Sequence, residues 1–284
     1  MTTTATLLLS CADQKGLVAE VSRFIYENDG NIIHADQHTD LEESVFVQRI
    51  EWELDGFDID RERIADEFAP IAQRFSMDWR LRFSDERARI AVLVSKQAHC
   101  MYDLLARWRM GELATDISLV ISNHDDLAQV ADDFGVPFHH LPITPDTRNA
   151  QESAVRDLID RHDIDVIVLA RYMQILSPEF VAAYPNRIIN IHHSFLPAFA
   201  GARPYHQAHE RGVKVIGATA HFVTGELDAG PIIAQDVSHV SHRDSVPDLI
   251  HKGRDLEKAV LARAVHLHLD NRLIVYGNKT VVFD

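Results

Sequence analysis

Three residues in the second half of the chain have side chains suited to acting on a carbonyl group. Asn190 and His192 sit two apart in the apolar run RIINIH, and Asp228 follows in TGELDAGPII. Read as a β-strand, RIINIH turns Asn190 and His192 to one face and His193 to the other, because strand side chains alternate. An amide and an imidazole on one face can both donate to a carbonyl oxygen as it becomes an oxyanion. A nearby aspartate can accept a proton from an attacking nucleophile or hold the imidazole charged. The set describes acyl transfer or hydrolysis with no covalent nucleophile. A metal reading is disfavoured: adjacent strand histidines do not easily share one ion, and HExxH and CxxC spacings are absent from the sequence. The alternative is a satisfied polar corner in which Asn190 and Asp228 cap turns.

Such a constellation needs a rigid strand end, and the surrounding pattern predicts one. RIAVLVS, ISLVIS and DVIVLA are short apolar runs, each followed by a helical stretch. That alternation signals a doubly wound, mostly parallel sheet, in which ligands bind at the carboxyl ends of the strands. KVIGATAHFV and GPIIAQDVSHV read as further strands, a long helix is expected near 244–268, and RLIVYGNKTVVF ends the chain. Upstream the pattern differs. ATLLLSCA reads as a buried strand, DQKG as a turn, and LVAEVSRFIYEN as an amphipathic helix closed by Gly30. Two strands, a helix over roughly 58–74 and the strand SMDWRLRF complete a β-α-β-β-α-β order, which is ferredoxin-like. The polar segment SDERAR (84–89) separates the two patterns, giving an α/β protein with domains at 5–84 and 88–284.

Composition narrows the partners. With 28 basic against 43 acidic residues the net charge is −15, which argues against nucleic acid and anionic membranes as partners. At 46% apolar residues the chain can bury a sizeable core. Two cysteines, Cys11 and Cys100, fit small core fillers in a reducing cytoplasm. The first residues, MTTTATLLLSCADQKG, have neither the basic start nor the length of a signal or membrane segment, so a cytoplasmic location is expected.

The motifs also carry a likeness. NIHHSFLPAFAG and GATAHFVTGELDAGPII resemble the two active-site motifs of folate-dependent formyltransferases, in order and correctly separated, with likeness from about residue 88 to the chain end. CADQKGLVAEVSRFIYENDGNI resembles an ACT regulatory domain. The pairing resembles the formyltetrahydrofolate deformylase family. That resemblance implies hydrolysis of 10-formyltetrahydrofolate to tetrahydrofolate and formate, supplying formate for purine synthesis and balancing one-carbon folate pools. It implies that Asn190 and His192 stabilise the oxyanion while Asp228 directs water. The folate is expected against Met173, Gln174, Ile175, Leu176, Thr224 and Leu227. For Met173, Ile175 and Leu176 an ordinary core position is the alternative.

His193 stands where the transferases usually have proline, and either shapes the site or bonds into the sheet. His221 belongs to the second motif, with a structural role the alternative to a catalytic one. Asp13, Gly16, Gly30 and Asn31 mark the loops where ACT domains take amino-acid effectors, here methionine or glycine; ordinary turn chemistry is the alternative. ACT domains imply a homo-oligomer, and no cofactor or metal is implied. The competing reading is formyl transfer to an amine such as glycinamide ribonucleotide. That transferase holds its phosphate in a glycine-rich loop after the first strand; here the equivalent SKQAHCM (95–101) has no glycine, although Lys96 offers a positive charge.

Overall fold

The computed structural model describes residues 2–197 and 204–283. The AFAGAR part of the first motif, residues 198–203, lies outside them. The chain divides into two compact units.

The first unit contains β1 (Thr4–Ala12), α1 (Leu17–Glu27), β2 (Ile32–Asp40), β3 (Val45–Glu53), a 3-10 turn (Arg61–Arg63), α2 (Ile64–Arg74) and β4 (Asp78–Phe83). Its antiparallel sheet has the order β2-β3-β1-β4, as the ferredoxin-like pattern requires. Leu7, Leu9, Val21, Ile25, Phe46, Trp52 and Phe68 are among the residues that form the core under the helices. The side chains of α1 explain its direction: Leu17, Val21, Phe24 and Ile25 recur at helical spacing and all are buried.

Gly30 closes α1 as expected: its N–H donates to the Ile25 carbonyl at 2.9 Å, and Asp29 before it donates to the Tyr26 carbonyl at 3.2 Å. The left-handed residue of this closure is Asp29, at φ 58°. Gly30 is needed for space: a Cβ there would stand 2.5 Å from Ile25 Cγ2 and 3.0 Å from the Phe57 ring.

The chain end also differs from expectation. Residues 270–277 and 281–283 pack within the first unit, although the sequence pattern assigns them to the second domain. The physical reason lies on the sheet face away from the helices. Leu8 and Val47 are buried there against Ile274 and Phe283, with Tyr276 and Val281 alongside. Arg49 Nε donates to the Asn271 carbonyl at 3.0 Å, and the Tyr276 hydroxyl to Asp40 at 2.8 Å. The terminal elements are β12 (Leu273–Tyr276) and β13 (Lys279–Val282).

The second unit runs from Ala88 to Leu269, with Asn278–Thr280. In order it holds β5 (Ala88–Val94), α3 (His99–Met110), β6 (Thr115–Ser122), α4 (Ala128–Asp133), β7 (Phe138–His140), α5 (Arg148–Arg161), β8 (Val166–Leu169), α6 (Pro178–Ala183), β9 (Ile188–His192), α7 (Pro204–Arg211), β10 (Val215–Phe222), β11 (Ile232–His239) and α8 (Val246–Leu269). The sheet order is β11-β10-β9-β8-β5-β6-β7. The five strands from β9 to β7 are parallel, while β10 runs antiparallel to both of its neighbours. Chain order reverses between β8 and β5, and it is at such a reversal that open α/β sheets take ligands, at the carboxyl ends of the strands. Among the described residues, no helix is long and apolar enough to cross a membrane.

Candidate active site

β9 carries the first two residues, and β10 beside it brings a third. The antiparallel register sets His221 opposite Asn190 and Thr219 opposite His192. Asn190 Nδ2 lies 3.2 Å from His221 Nε2. His221 Nδ1 lies 2.8 Å from the Phe222 carbonyl oxygen, which can only accept. Nδ1 therefore carries the proton and Nε2 accepts from the amide, which fixes how Asn190 is turned. Burial lowers the pKa of His221, and this favours the neutral ring that the arrangement needs.

Asp228 arrives from the loop between β10 and β11. Gly230 lets that loop close, because a Cβ there would stand 1.9 Å from the Phe222 carbonyl oxygen. Asp228 itself takes a left-handed backbone, φ 54°, which Asp and Asn adopt more readily than other side-chain-bearing residues. Its Oδ2 stands 3.3 Å from His192 Nδ1 and its Oδ1 3.8 Å from His221 Nε2. The hydrogen bond with His192 is the main reason the Asp228 carboxyl lies below its ordinary range, outweighing the desolvation that would raise it.

The loop after β9 is pinned below the site. Thr219 Oγ1 accepts from the Leu196 amide at 3.0 Å and donates to the Ser194 carbonyl at 2.9 Å, and Gln235 donates to Thr219 Oγ1 at 2.9 Å. The strands thus bring Asn190, His192, His221 and Asp228 into one cluster. The atom left over is His192 Nε2, which is buried and has no hydrogen-bond partner among the described residues.

His193 does not point away from His192, as strict alternation predicts. The strand ends at His192, so the next residue is released from the pleat. Its ring lies 5.2 Å from that of His192, tilted by 34°, and 6.1 Å from that of Tyr205. Burial, with Arg171 nearby, pushes the His193 imidazole down to about 4 from an ordinary 6.5. Between those values an unfolded chain binds a proton that the folded one refuses. His193 therefore makes stability fall as pH drops from about 6.5 towards 4. The expected result is that the His193→Gln variant loses less stability than wild type between pH 7 and pH 5 in urea melts. An identical loss in both proteins would contradict the assignment.

The loop after β8 is anchored from several sides. The Met173 amide donates to Ser95 Oγ at 3.0 Å, Arg148 donates to the Ile175 carbonyl, and the Ser177 amide to Glu152 at 2.8 Å. Met173 and Ile175 are nevertheless 57% and 61% exposed, and Leu227 is 64% exposed. These three are not core residues; they offer an apolar surface on loops held in place by hydrogen bonds. Leu176 is half-buried against the core, Gln174 is half-buried, and Thr224 Oγ1 bonds within its own loop to the Glu226 carbonyl at 3.2 Å.

In the first unit the four expected effector residues do not come together. Asp13 and Gly16 precede α1, whereas Gly30 and Asn31 follow it. Eleven helical residues separate the pairs by about 16 Å. The Asp13 amide donates to the Ser44 carbonyl at 2.9 Å, and Asn31 Nδ2 to Glu53 at 2.7 Å.

Glu257, Arg171 and His99, none of them singled out from the sequence, form a second polar cluster next to His193, with Glu257 buried and the other two partly buried. The available signal was in α8. Leu249, Gly253, Glu257 and Leu261 recur every fourth residue, which sets a carboxylate in the middle of an apolar stripe.

The chain is similar to known proteins in both of its units. The family model described as Formyl transferase matches residues 88–265, and the ACT domain model matches residues 5–72. A formyltetrahydrofolate deformylase of Synechocystis sp. is 59% identical over 280 residues, covering 99% of this chain and 98% of the relative. The crystal structure of a formyltetrahydrofolate deformylase from Pseudomonas syringae pv. tomato superposes with a TM-score of 0.98 at 48% identity, covering 100% of this chain and 95% of that one. A glycinamide ribonucleotide transformylase from Symbiobacterium toebii is 34% identical with a TM-score of 0.67, covering 72% of this chain and 98% of its own. With its ACT unit, its formyltransferase-fold unit and relatives that match it over nearly their whole length, the chain belongs to the formyltetrahydrofolate deformylase family.

Proposed function

We propose that this enzyme hydrolyses 10-formyltetrahydrofolate to tetrahydrofolate and formate, with Asn190, His192 and Asp228 as its catalytic residues. The observation that carries the reading is the split environment of His192: Nδ1 faces Asp228 at 3.3 Å, while Nε2 is buried and unpartnered among the described residues. Because Asp228 is ionised and accepts only, Nδ1 must carry a proton; for Nε2 also to donate, the ring acts as an imidazolium. The Nε2 proton and the second Nδ2 proton of Asn190 then meet the formyl oxygen as it becomes negative.

Water attacks the formyl carbon and gives a proton to Asp228. The tetrahedral intermediate collapses, the bond from carbon to N10 breaks, and N10 takes a proton from the His192–Asp228 pair. The products are formate and tetrahydrofolate. The apolar surface of Met173, Ile175 and Leu227 suits the flat faces of the folate, with Gln174, Leu176 and Thr224 beside it. Metal chemistry is not needed at any step of this scheme.

The test is formate release by purified protein from 10-formyltetrahydrofolate, first in plain buffer and then with glycinamide ribonucleotide. Stoichiometric formate in plain buffer is expected. Turnover that begins only when the amine is added would favour formyl transfer instead.

The ACT unit supports regulation by a small amino acid, and methionine and glycine are the effectors to test in the same assay. β2 is exposed along most of its length at the sheet edge, which suits pairing with a second copy into a homo-oligomer. We place the enzyme in the cytoplasm, in line with its two buried free thiols, where its formate can enter purine synthesis and its turnover can balance folate pools.

A further inference from the structure

A second polar cluster borders His193, and the chemistry above makes no use of it. Glu257, on the buried face of α8, is 1% exposed. Its Oε2 meets His99 Nε2 at 2.8 Å, and its Oε1 accepts from the Tyr205 hydroxyl at 2.7 Å. Arg171 Nε stands 3.4 Å from Oε2. A lone carboxylate at this depth would be strongly unfavourable. Burial alone would raise the Glu257 carboxyl, but His99, Arg171 and Tyr205 outweigh it and hold the group below its ordinary range. Cys100 Sγ also lies within 4.8 Å of the His99 and Glu257 ligand atoms. A metal is nonetheless a poor fit: both carboxylate oxygens are already engaged, Arg171 supplies the positive charge, and burial pushes the thiol up.

The position of the cluster gives it meaning. His99 opens α3 after β5, Arg171 follows β8, and His193 follows β9. These three strands are adjacent, and the order reverses between β8 and β5. In open α/β sheets a ligand occupies such a crevice, and an anionic group favours the helix start after the strand. Here Ala98, which precedes α3, makes no side-chain cap, and a carboxylate of the chain itself reaches the first helical residue. Through Tyr205 and His193 the cluster adjoins the His192 ring.

We propose that Glu257 and Arg171 form a specificity-determining plug: an internal anion and its counter-ion fill the crevice beside His192, so that a second reactant is excluded by their bulk, one bearing an anionic group finds its place already taken by Glu257, and water alone meets the formyl carbon. The proposal rests on the hydrolytic reading and adds what selects the acceptor.

The test compares full-length wild type, Glu257→Gln and Arg171→Gly. Formate release by wild type in plain buffer checks the hydrolytic reading separately. Glu257→Gln removes the internal anion but leaves Arg171 and His99. Inorganic phosphate, at matched ionic strength, should then raise the Tm of this variant by about 2 °C or more beyond any rise in wild type. Arg171→Gly removes bulk at a left-handed position, φ 64°, that glycine adopts freely. With hydroxylamine present, the amine nitrogen should bond to the formyl carbon as the bond to N10 breaks, the amine losing a proton and N10 gaining one. Formylhydroxylamine, read by mass spectrometry, should then make up at least about a tenth of the product, against formate alone from wild type. Either gain supports the plug, and the Tm reading does not depend on turnover. Should wild type release formate while phosphate leaves the Glu257→Gln Tm unmoved and Arg171→Gly forms no formylated amine, the plug is overturned.

Discussion

Asp228→Asn is expected to lower kcat for formate release by about 10³-fold, within the range for losing a positioned general base. Two losses combine. The amide cannot take the water proton, and it no longer balances the charge that His192 needs in order to donate from both nitrogens. The loop should survive the change, because asparagine accepts the left-handed backbone at φ 54° as readily as aspartate does. KM should move by no more than about three-fold, since the apolar surface proposed for the folate is formed by other side chains. Steady-state kinetics with formate detection gives both numbers. A kcat within about ten-fold of wild type would remove Asp228 from the chemistry.

His192→Ala is the second large effect, expected at about 10³-fold in kcat. Loss of one oxyanion donor typically accounts for about 10²–10³-fold, and here the counter-charge to Asp228 goes with it. Asp228 and His192 stand 3.3 Å apart and are expected to act as a unit. The double variant should therefore be only slightly slower than either single one, rather than slower by the product of the two losses. Full multiplicative losses would show that the two residues work independently. Circular dichroism separates these outcomes from misfolding, because Ile191 on one side of His192 and Ser194 beyond His193 are buried, and a collapsed strand would be visible.

Much of this site is legible along the chain because its parts are local. Asn190 and His192 share one strand, and Asp228 sits in a short loop whose glycines mark a tight return. The alternation rule fails only at His193, where the strand stops and the pleat no longer dictates direction. His221 looks like an isolated histidine until the register of β10 sets it against Asn190. The Glu257 cluster is the harder case: His99 and Glu257 are 158 positions apart, and only the packing of α8 behind the sheet brings them together. Glu257 within an apolar stripe is a visible anomaly, but its partners cannot be read from spacing. The last strands are similarly ambiguous, since alternation in RLIVYGNKTVVF shows that they cover a sheet without showing which sheet. Gly30 is a related case: its closing of α1 is visible in the sequence, but the nearness of Ile25, which leaves no room for a Cβ, is not.

The central claim is that the formyl oxygen sits between Asn190 and His192 while Asp228 holds the attacking water. A crystal structure with a non-hydrolysable 10-formyl folate analogue tests it most directly. The account predicts the oxygen about 2.7–3.1 Å from both Asn190 Nδ2 and His192 Nε2, with a water between Asp228 and the carbon. A carbonyl oxygen turned away from both donors, or an Asp228 carboxylate with no water in line with the carbon, would contradict it.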